Sequence, residues 1–346
     1  LNVADRQYCL GRGVAALTVG SSYSREYIEL QVDNLFDLMR KRSQGGVITG
    51  LTKEELGEIN VLLPIDLNEQ LKIAEILRAC DEAIDKTTAK IEKLNKIKQG
   101  MMQDLFRYGI DERGQIRSES THRFKDSPLG MIPEEWEVRP ITDYLEIMTD
   151  YVANGSFASL RENVNVFETE SFAYYVRLFD LRLGLGHKKQ TYVDEKSYGF
   201  LKKSFLTPND TLIANIGAYA GEVWIMPQSA KPATIAPNML ILKANDQCDK
   251  VYLFYFLKSE HGAKGIKNVI GGSGQPKISK TDLKTMKILK MNKTEQLRIT
   301  STLTSSDDAI EKEEVYKQKL LALKSGLMED LLSGIVRVNH LIGESG

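Results

Sequence analysis

The sequence predicts an α+β protein in which mixed α/β domain structure is joined by two long helices. Three observations predict it. A segment recurs within the chain, two uninterrupted stretches carry an apolar stripe at helical spacing, and short β-forming runs with glycine and proline turns lie between them. At 346 residues, 42% apolar and 27% charged, the chain is too long for one small core and composed like an ordinary globular protein. It holds no run of eighteen apolar residues, so a spanning helix is not expected. Its opening, LNVADRQYCLGRG, lacks the basic and apolar regions of a secretory signal. Formal net charge is -1, so any basic character must be local. Cys9, Cys80 and Cys248 are too scattered for a disulfide framework or a CxxC motif, which favours a cytoplasmic setting.

The repeat is the most informative feature. KQGMMQDLF starts at Lys98 and KSGLMEDLL at Lys324, an offset of 226 (324 − 98). The offset holds upstream, where Glu69, Gln70, Ile73, Leu77, Asp81 and Ile84 match Glu295, Gln296, Ile299, Leu303, Asp307 and Ile310. With one residue of slippage, LTKEELGEINV (51–61) aligns with ISKTDLKTMKI (278–288).

Each copy contains a long helix. In the first (65–108), Ile73, Leu77, Cys80, Ile84, Thr87, Ile91, Leu94, Ile97, Met101 and Leu105 alternate by three and four, with Asn68 as the expected cap. About forty residues at 1.5 Å each give a rod of roughly 60 Å. Such a rod needs a partner to cover its stripe. In the second copy (292–334), Ile299, Leu303, Ile310, Leu320, Leu327 and Leu331 form the seam, but Lys317 and the polar EKEEVYKQK run weaken its centre. The simplest arrangement pairs the two helices. Pattern alone leaves their relative direction open.

Between them, 109–126 is polar and reads as a linker or extended arm. SPLGMIPEEWEV then opens a mixed domain (127–291) of short β segments, among them SFAYYVRLFDL, KSFLTPNDTLIANI, GEVWIM and NMLILKA, with a late helix at 252–266. Tyr252, Phe254, Tyr255 and Phe256 on that helix read as core rather than as a base-stacking platform. By the same repeat logic, with one residue of slippage, 1–64 corresponds to the tail of a first such domain, VAALT (14–18) matching MLILK (239–243) and 27–42 matching the helix. A first domain of equal length would begin about a hundred residues upstream. The chain is therefore expected to be partial, with 335–346 as a C-terminal tail.

Catalytic constellations are missing. There is no phosphate loop, no dinucleotide fingerprint, no nucleophile elbow, and no glutamate followed two places later by lysine. The four histidines (His122, His187, His261, His340) are scattered and form no metal motif. The chain is expected not to be an enzyme, with no metal and no cofactor of its own.

Binding features remain. Nine lysines between Lys258 and Lys293 face only Glu260 and Asp282, and among them lies GGSGQPKIS (271–279). Its Ser273, Gly274, Gln275 and Lys277, with Lys280, suit phosphates and base edges. A solvated lysine-rich surface is the plain alternative. In LIANIGAYAGEVWI, Asn215 and Tyr219 suit a groove, against a purely structural β-turn. In LRLGLGHKKQ, Arg182, Lys188 and Lys189 make a basic loop, against a charged loop with no partner. Arg12 and the run Arg40, Lys41, Arg42 are their counterparts in the first part of the chain.

SPLGMIPEEWEV, the GSGQPKIS loop before DLKTMKI, and the twice-used EQ…I…L…D…I helix ending in G-[LM]-M-[QE]-D-L together resemble the specificity subunit of type I restriction-modification systems. The resemblance covers essentially 1–338 and rests on the order of the motifs at a fixed offset. It implies target-recognition domains, each reading half of a bipartite double-stranded DNA sequence. It implies too that the conserved helices pack as an antiparallel coiled coil spacing the halves. The subunit would be non-catalytic and would scaffold two modification (methyltransferase) subunits, which use S-adenosylmethionine, and through them restriction subunits, which use ATP. The alternative is a coiled-coil scaffold whose globular domains bind proteins. A steep fall of DNA affinity with salt separates the two.

Overall fold

The computed structural model describes residues 4, 6–7, 9–10, 14, 16–42, 57–58, 60–272 and 274–342. The chain divides into two compact units, residues 1–95 with 308–346, and residues 96–307. In order come α1 (Arg25–Arg42), α2 (Leu67–Arg107), β1 (Phe124–Lys125), β2 (Ile132–Pro133), β3 (Glu137–Pro140), β4 (Leu145–Asp150), α3 (Phe157–Asn163), β5 (Val166–Phe167) and β6 (Ala173–Val176). They are followed by α4 (Leu178–Leu183), β7 (Thr191–Val193), α5 (Glu195–Phe200), β8 (Phe205–Leu206), β9 (Thr211–Ala214), β10 (Val223–Ile225) and β11 (Ala233–Ile235). Last are β12 (Met239–Ala244), α6 (Lys250–Lys258), α7 (Glu260–Val269), α8 (Lys280–Leu283), β13 (Lys287–Lys290) and α9 (Lys293–Leu332). The architecture is α+β, as the sequence predicts.

The repeat-bearing stretches are both long helices, and they run antiparallel. In the first unit Asp81 pairs with Lys324 at 2.5 Å and Lys90 with Glu313 at 2.6 Å, so partners descend along one helix as they ascend along the other. In the second unit Lys98 pairs with Asp307. Asp81–Lys324 and Lys98–Asp307 are one interaction applied twice, because each residue maps onto its counterpart by the offset of 226.

Two details of the helices differ from the sequence reading. Asn68 does not cap α2. Its own amide donates to Asp66 Oδ1 at 2.9 Å, which puts the capping acceptor two residues earlier. Ile97 is 49% exposed, whereas Leu94, Lys98 and Met101 are half-buried and Leu105 is buried. A helix of 3.6 residues per turn drifts against a 3.5-residue stripe, and here the buried face has moved on to Lys98, whose ammonium stands 5.4 Å from the Tyr255 ring centroid. As expected, α9 is loosely covered at its centre, with Ile310 and Lys317 half-buried and Val315 and Tyr316 exposed.

In the first unit Tyr27, Ile73, Leu77, Leu331, Leu332 and Val338 make the core. Ser24 caps α1 by accepting from Tyr27 N, and its own amide donates to Gln70 Oε1 at 2.8 Å. The second unit repeats the arrangement. Asp249 caps α6 and its amide donates to Gln296 Oε1 at 2.8 Å. The tyrosines follow suit, Tyr27 Oη donating to Leu62 O and Tyr252 Oη to Leu289 O. Gln70 and Gln296, the second residue of each Glu-Gln pair, are thus hydrogen-bonding anchors for what precedes each helix.

Within residues 96–307, a four-stranded antiparallel sheet has the order β10-β9-β12-β4, and a five-stranded mixed sheet has the order β5-β7-β6-β11-β8, with only β6 and β11 parallel. β12 is buried on both faces. Leu240 and Leu242 join a core with Trp136, Tyr252, Phe256, Ile288 and Leu303, while Met239 and Ile241 join one with Tyr175, Val176, Val193 and Ile235. This two-sided burial is why MLILK reads as a continuous apolar run.

Three further expectations are corrected. The stretch SFAYYVRLFDL is strand only through Val176 and then turns into α4, because Asp180 Oδ2 accepts from the Arg177 amide at 2.7 Å and opens a helix. The late helix is broken at Ser259, whose Oγ donates to Phe256 O at 2.6 Å. At Gly262 a Cβ would fall 2.1 Å from Phe256 O, so only glycine permits the turn. The 109–126 segment is no free arm. Gly109 adopts φ +69° and leads into a bridge between Ile110 and Ile116, after which Arg117 is buried against Glu295. Trp136 Nε1 donates to the same carboxylate at 3.1 Å.

Candidate nucleic-acid interface

The β9–β10 connection, Asn215–Glu222, turns on Gly217 and Gly221, both with φ above +90°. At Gly221 a Cβ would approach Ile266 to 2.9 Å, so the turn rests on α7. The 271–277 loop is closed by reciprocal bonds of 2.9 Å between the Gly271 and Lys277 backbones. It docks on the β9–β10 turn through Gly217 N to Pro276 O at 2.9 Å and Ile278 N to Asn215 O at 2.8 Å. Two loops far apart in sequence therefore form one edge. Ile278, fully buried, anchors it, while Gly274, Gln275, Lys277 and Tyr219 are exposed.

Arg182, on α4, joins this edge. Its guanidinium carbon lies 3.8 Å from the Tyr219 ring centroid, its Nε donates to Glu222 Oε1 at 3.2 Å, and its Nη2 donates to Glu222 Oε2. Trp224 Nε1 donates to Glu222 Oε1 at 2.8 Å and fixes the carboxylate in turn. Asn215 is only half-exposed and its side-chain oxygen is buried without a hydrogen-bond donor.

The Gly184–Gln190 loop is built around buried Asp180. Arg177 donates to it from Nε at 3.0 Å and from Nη2 at 2.8 Å, and His187 Nε2 lies 2.9 Å from Oδ1. Arg177 Nη2 also donates to Lys189 O at 2.6 Å. Lys188 and Lys189 are exposed on this braced loop.

The lysine-rich stretch does not act as one field. Lys280 pairs with Asp150 at 3.0 Å, and Lys293 Nζ donates to Asp246 O at 2.7 Å. Lys258 lies near the Phe254 ring, and burial pushes its pKa down. Charge counted along the chain does not record which ammonium groups the fold itself uses. Ser273 and Arg12 lie outside the described residues, as do the side chains of Arg40, Lys41 and Arg42. Sequence reasoning missed Glu222, Asp180 and Arg177. The Arg-x-x-Asp spacing of 177 and 180 was a legible signal for the last two. Glu222 carried none for its pairing with Arg182, which lies forty residues away.

The family model for the type I restriction modification DNA specificity domain matches residues 3–96 and 133–321. The chain belongs to that family of DNA-specificity proteins. It is 28% identical over 318 residues to the specificity subunit of the type I restriction enzyme MjaVIII of Methanocaldococcus jannaschii, covering 88% of this chain and 68% of that one. It is 26% identical over 194 residues to the MjaIX specificity subunit of the same organism, covering 54% of this chain and 41% of that one. The share covered of a further relative from that organism is 65%, so the chain spans about two thirds or less of these relatives' length. Among solved structures, the type I restriction-modification system S subunit from M. genitalium superposes with a TM-score of 0.55 at 15% identity, covering 90% of this chain and 73% of that one. A chain from a structure of type I R-M system assembly and conformational transition gives 0.52 at 13%, covering 90% and 71%. Identities this low speak for the fold alone.

Proposed function

We propose that this chain is a non-catalytic DNA-reading subunit whose base and phosphate contacts come from three segments: Arg182–Lys189, Asn215–Tyr219 and Gly274–Lys280. The observation that carries the reading is the docking of the 271–278 loop onto the Asn215–Glu222 turn, with Arg182 stacked on Tyr219 beside it. Together they present guanidinium, amide, ammonium and aromatic groups along one edge, a donor set suited to duplex DNA. Lys188, Lys189 and Lys277 serve as phosphate contacts in this reading.

The chain scaffolds two modification subunits and, through them, restriction subunits. S-adenosylmethionine and ATP are used in those subunits. The target is bipartite, and the antiparallel helices set the gap between its halves, their register supported by the Asp81–Lys324 and Lys98–Asp307 pairs.

The test is the salt dependence of duplex binding by the chain in complex with its modification subunits. The logarithm of affinity should fall linearly with the logarithm of salt, by about 0.9 per phosphate neutralised. Lys277→Glu should weaken binding and flatten that slope. Affinity indifferent to salt and to this reversal would favour the protein-binding scaffold instead.

A further inference from the structure

Arginine carries five N–H donors in a rigid plane. In Arg182, Nε–H and one Nη2–H are directed to Glu222, and one face of the plane is covered by Tyr219. Glu222 does not engage Nη1 or the second hydrogen of Nη2. Those two nitrogens form the edge that bonds bidentately to O6 and N7 of guanine. Three neighbours thus fix the plane before any ligand arrives, since Trp224 holds Glu222 as Glu222 holds Arg182.

The carboxylate decides between two uses of such an arginine. A phosphate contact depends on net positive charge, which Glu222 offsets. A base contact depends on where the donors point, which Glu222 dictates. A flexible arginine must lose its rotamer freedom on binding, whereas one already clamped and stacked has lost it on folding.

Resting on the DNA-reading function above, we propose that Arg182 reads a guanine in the major groove of the target, with Glu222 and Tyr219 as positioning residues. Lys188, Lys189 and Lys277, exposed single-point charges, hold the backbone instead.

The experiment selects duplexes from a randomised library with the full chain in complex with its modification subunits. Competition follows, with target duplexes changed at one base pair at a time. Wild type should prefer guanine at one position by about 5- to 150-fold. Arg182→Ala and Arg182→Lys should both abolish that preference and leave the other positions intact, because lysine has the charge but not the two-pronged edge. Glu222→Gln should reduce the same preference without lowering affinity for unrelated duplex, since it removes a negative charge. Tyr219→Phe, which keeps the ring, should retain the preference. Loss of affinity by equal factors on all sequences, with the preference kept, would reduce Arg182 to a phosphate contact and overturn the proposal. Unchanged binding in Arg182→Ala would also overturn it. If Arg182→Ala melted early, Arg182→Lys and Glu222→Gln would decide by the same readout. Wild type lacking preference at every position would instead defeat the DNA-reading function itself.

Discussion

Glu295, in the first turn of the second long helix, forms an ion pair with Arg117 in which the carboxylate side chain is 2% exposed and the guanidinium 9%. The carboxylate also accepts from the Ile110 amide at 3.1 Å and from Trp136 Nε1, so each oxygen has more than one donor. Its counterpart in the repeat, Glu69, accepts from Arg337 Nε at 2.7 Å, Arg337 Nη2 at 2.5 Å and the Val338 amide at 3.3 Å. In an antiparallel pair the start of one helix lies beside the end of the other. Each glutamate therefore fastens the chain that leaves its partner helix.

Breaking the buried pair should be costly. Arg117→Ala leaves Glu295 charged and without its main partner, and about 3–5 kcal/mol of stability should be lost. Arg117→Met with Glu295→Met should recover part of that loss. Urea unfolding of the single and double variants measures both. A loss below about 1 kcal/mol in Arg117→Ala, the range of exposed pairs, would contradict this reading.

The Glu69 site predicts an acid dependence. Hydrogen bonds from Arg337 hold the Glu69 carboxyl below the usual carboxylate range. A carboxyl with a lowered folded-state pKa contributes stability above its unfolded value, and that contribution is lost as pH falls through the folded value. Stability of wild type should therefore decline more steeply from about pH 5 downward than that of Glu69→Gln. Denaturant midpoints across that range give the comparison, and parallel curves would count against the assignment.

Much of this was legible in the sequence, and the remainder was not for identifiable reasons. An apolar stripe is local information, so α2 and α9 could be bounded closely, and the offset between Glu69-Gln70 and Glu295-Gln296 marked something used twice. What those residues bond to was hidden, because Arg117 is 178 positions from Glu295 and sits in a stretch whose polarity reads as linker. Ile97 shows the limit of a stripe once helical drift intervenes. Gly262 looked compatible with a continuous helix until the Phe256 carbonyl was in place beside it. At the candidate interface the loops were visible as glycine-rich and basic. Their union was not, since it depends on backbone bonds from Gly217 to Pro276 and from Ile278 to Asn215. Lys280 stood among nine lysines in sequence, yet its charge is met by Asp150.

Register between the long helices should respond to charge. Asp81→Lys opposes Lys324 and should destabilise the pair, and adding Lys324→Asp should restore most of the loss. The coupling expected is about 0.5–1 kcal/mol, because both groups remain partly in water. A double-mutant cycle by thermal or urea unfolding measures it. Absence of coupling would mean that apolar packing alone sets the register.

Spacing follows from length. Inserting seven residues into α2 and seven at the facing position of α9 lengthens each helix by about 10 Å. At 3.4 Å per base pair the preferred gap between half-sites should grow by about three base pairs. Insertion in α2 alone breaks the register and should impair folding. Selection on duplexes with varied gaps, by a protein carrying both recognition domains, reads the outcome, and an unchanged gap in the double insertion would remove the spacing role.

Selection from a fully randomised duplex library, with the full chain bound to the modification subunits proposed for it, bears most directly on the proposal that the joined loops around Arg182, Tyr219 and Lys277 read DNA. A defined consensus is expected, losing particular positions in Arg182→Ala and keeping all of them, at lower affinity for every duplex, in Lys277→Glu. Recovered duplexes without any consensus, or a consensus untouched by Arg182→Ala, would contradict the reading of bases by this edge.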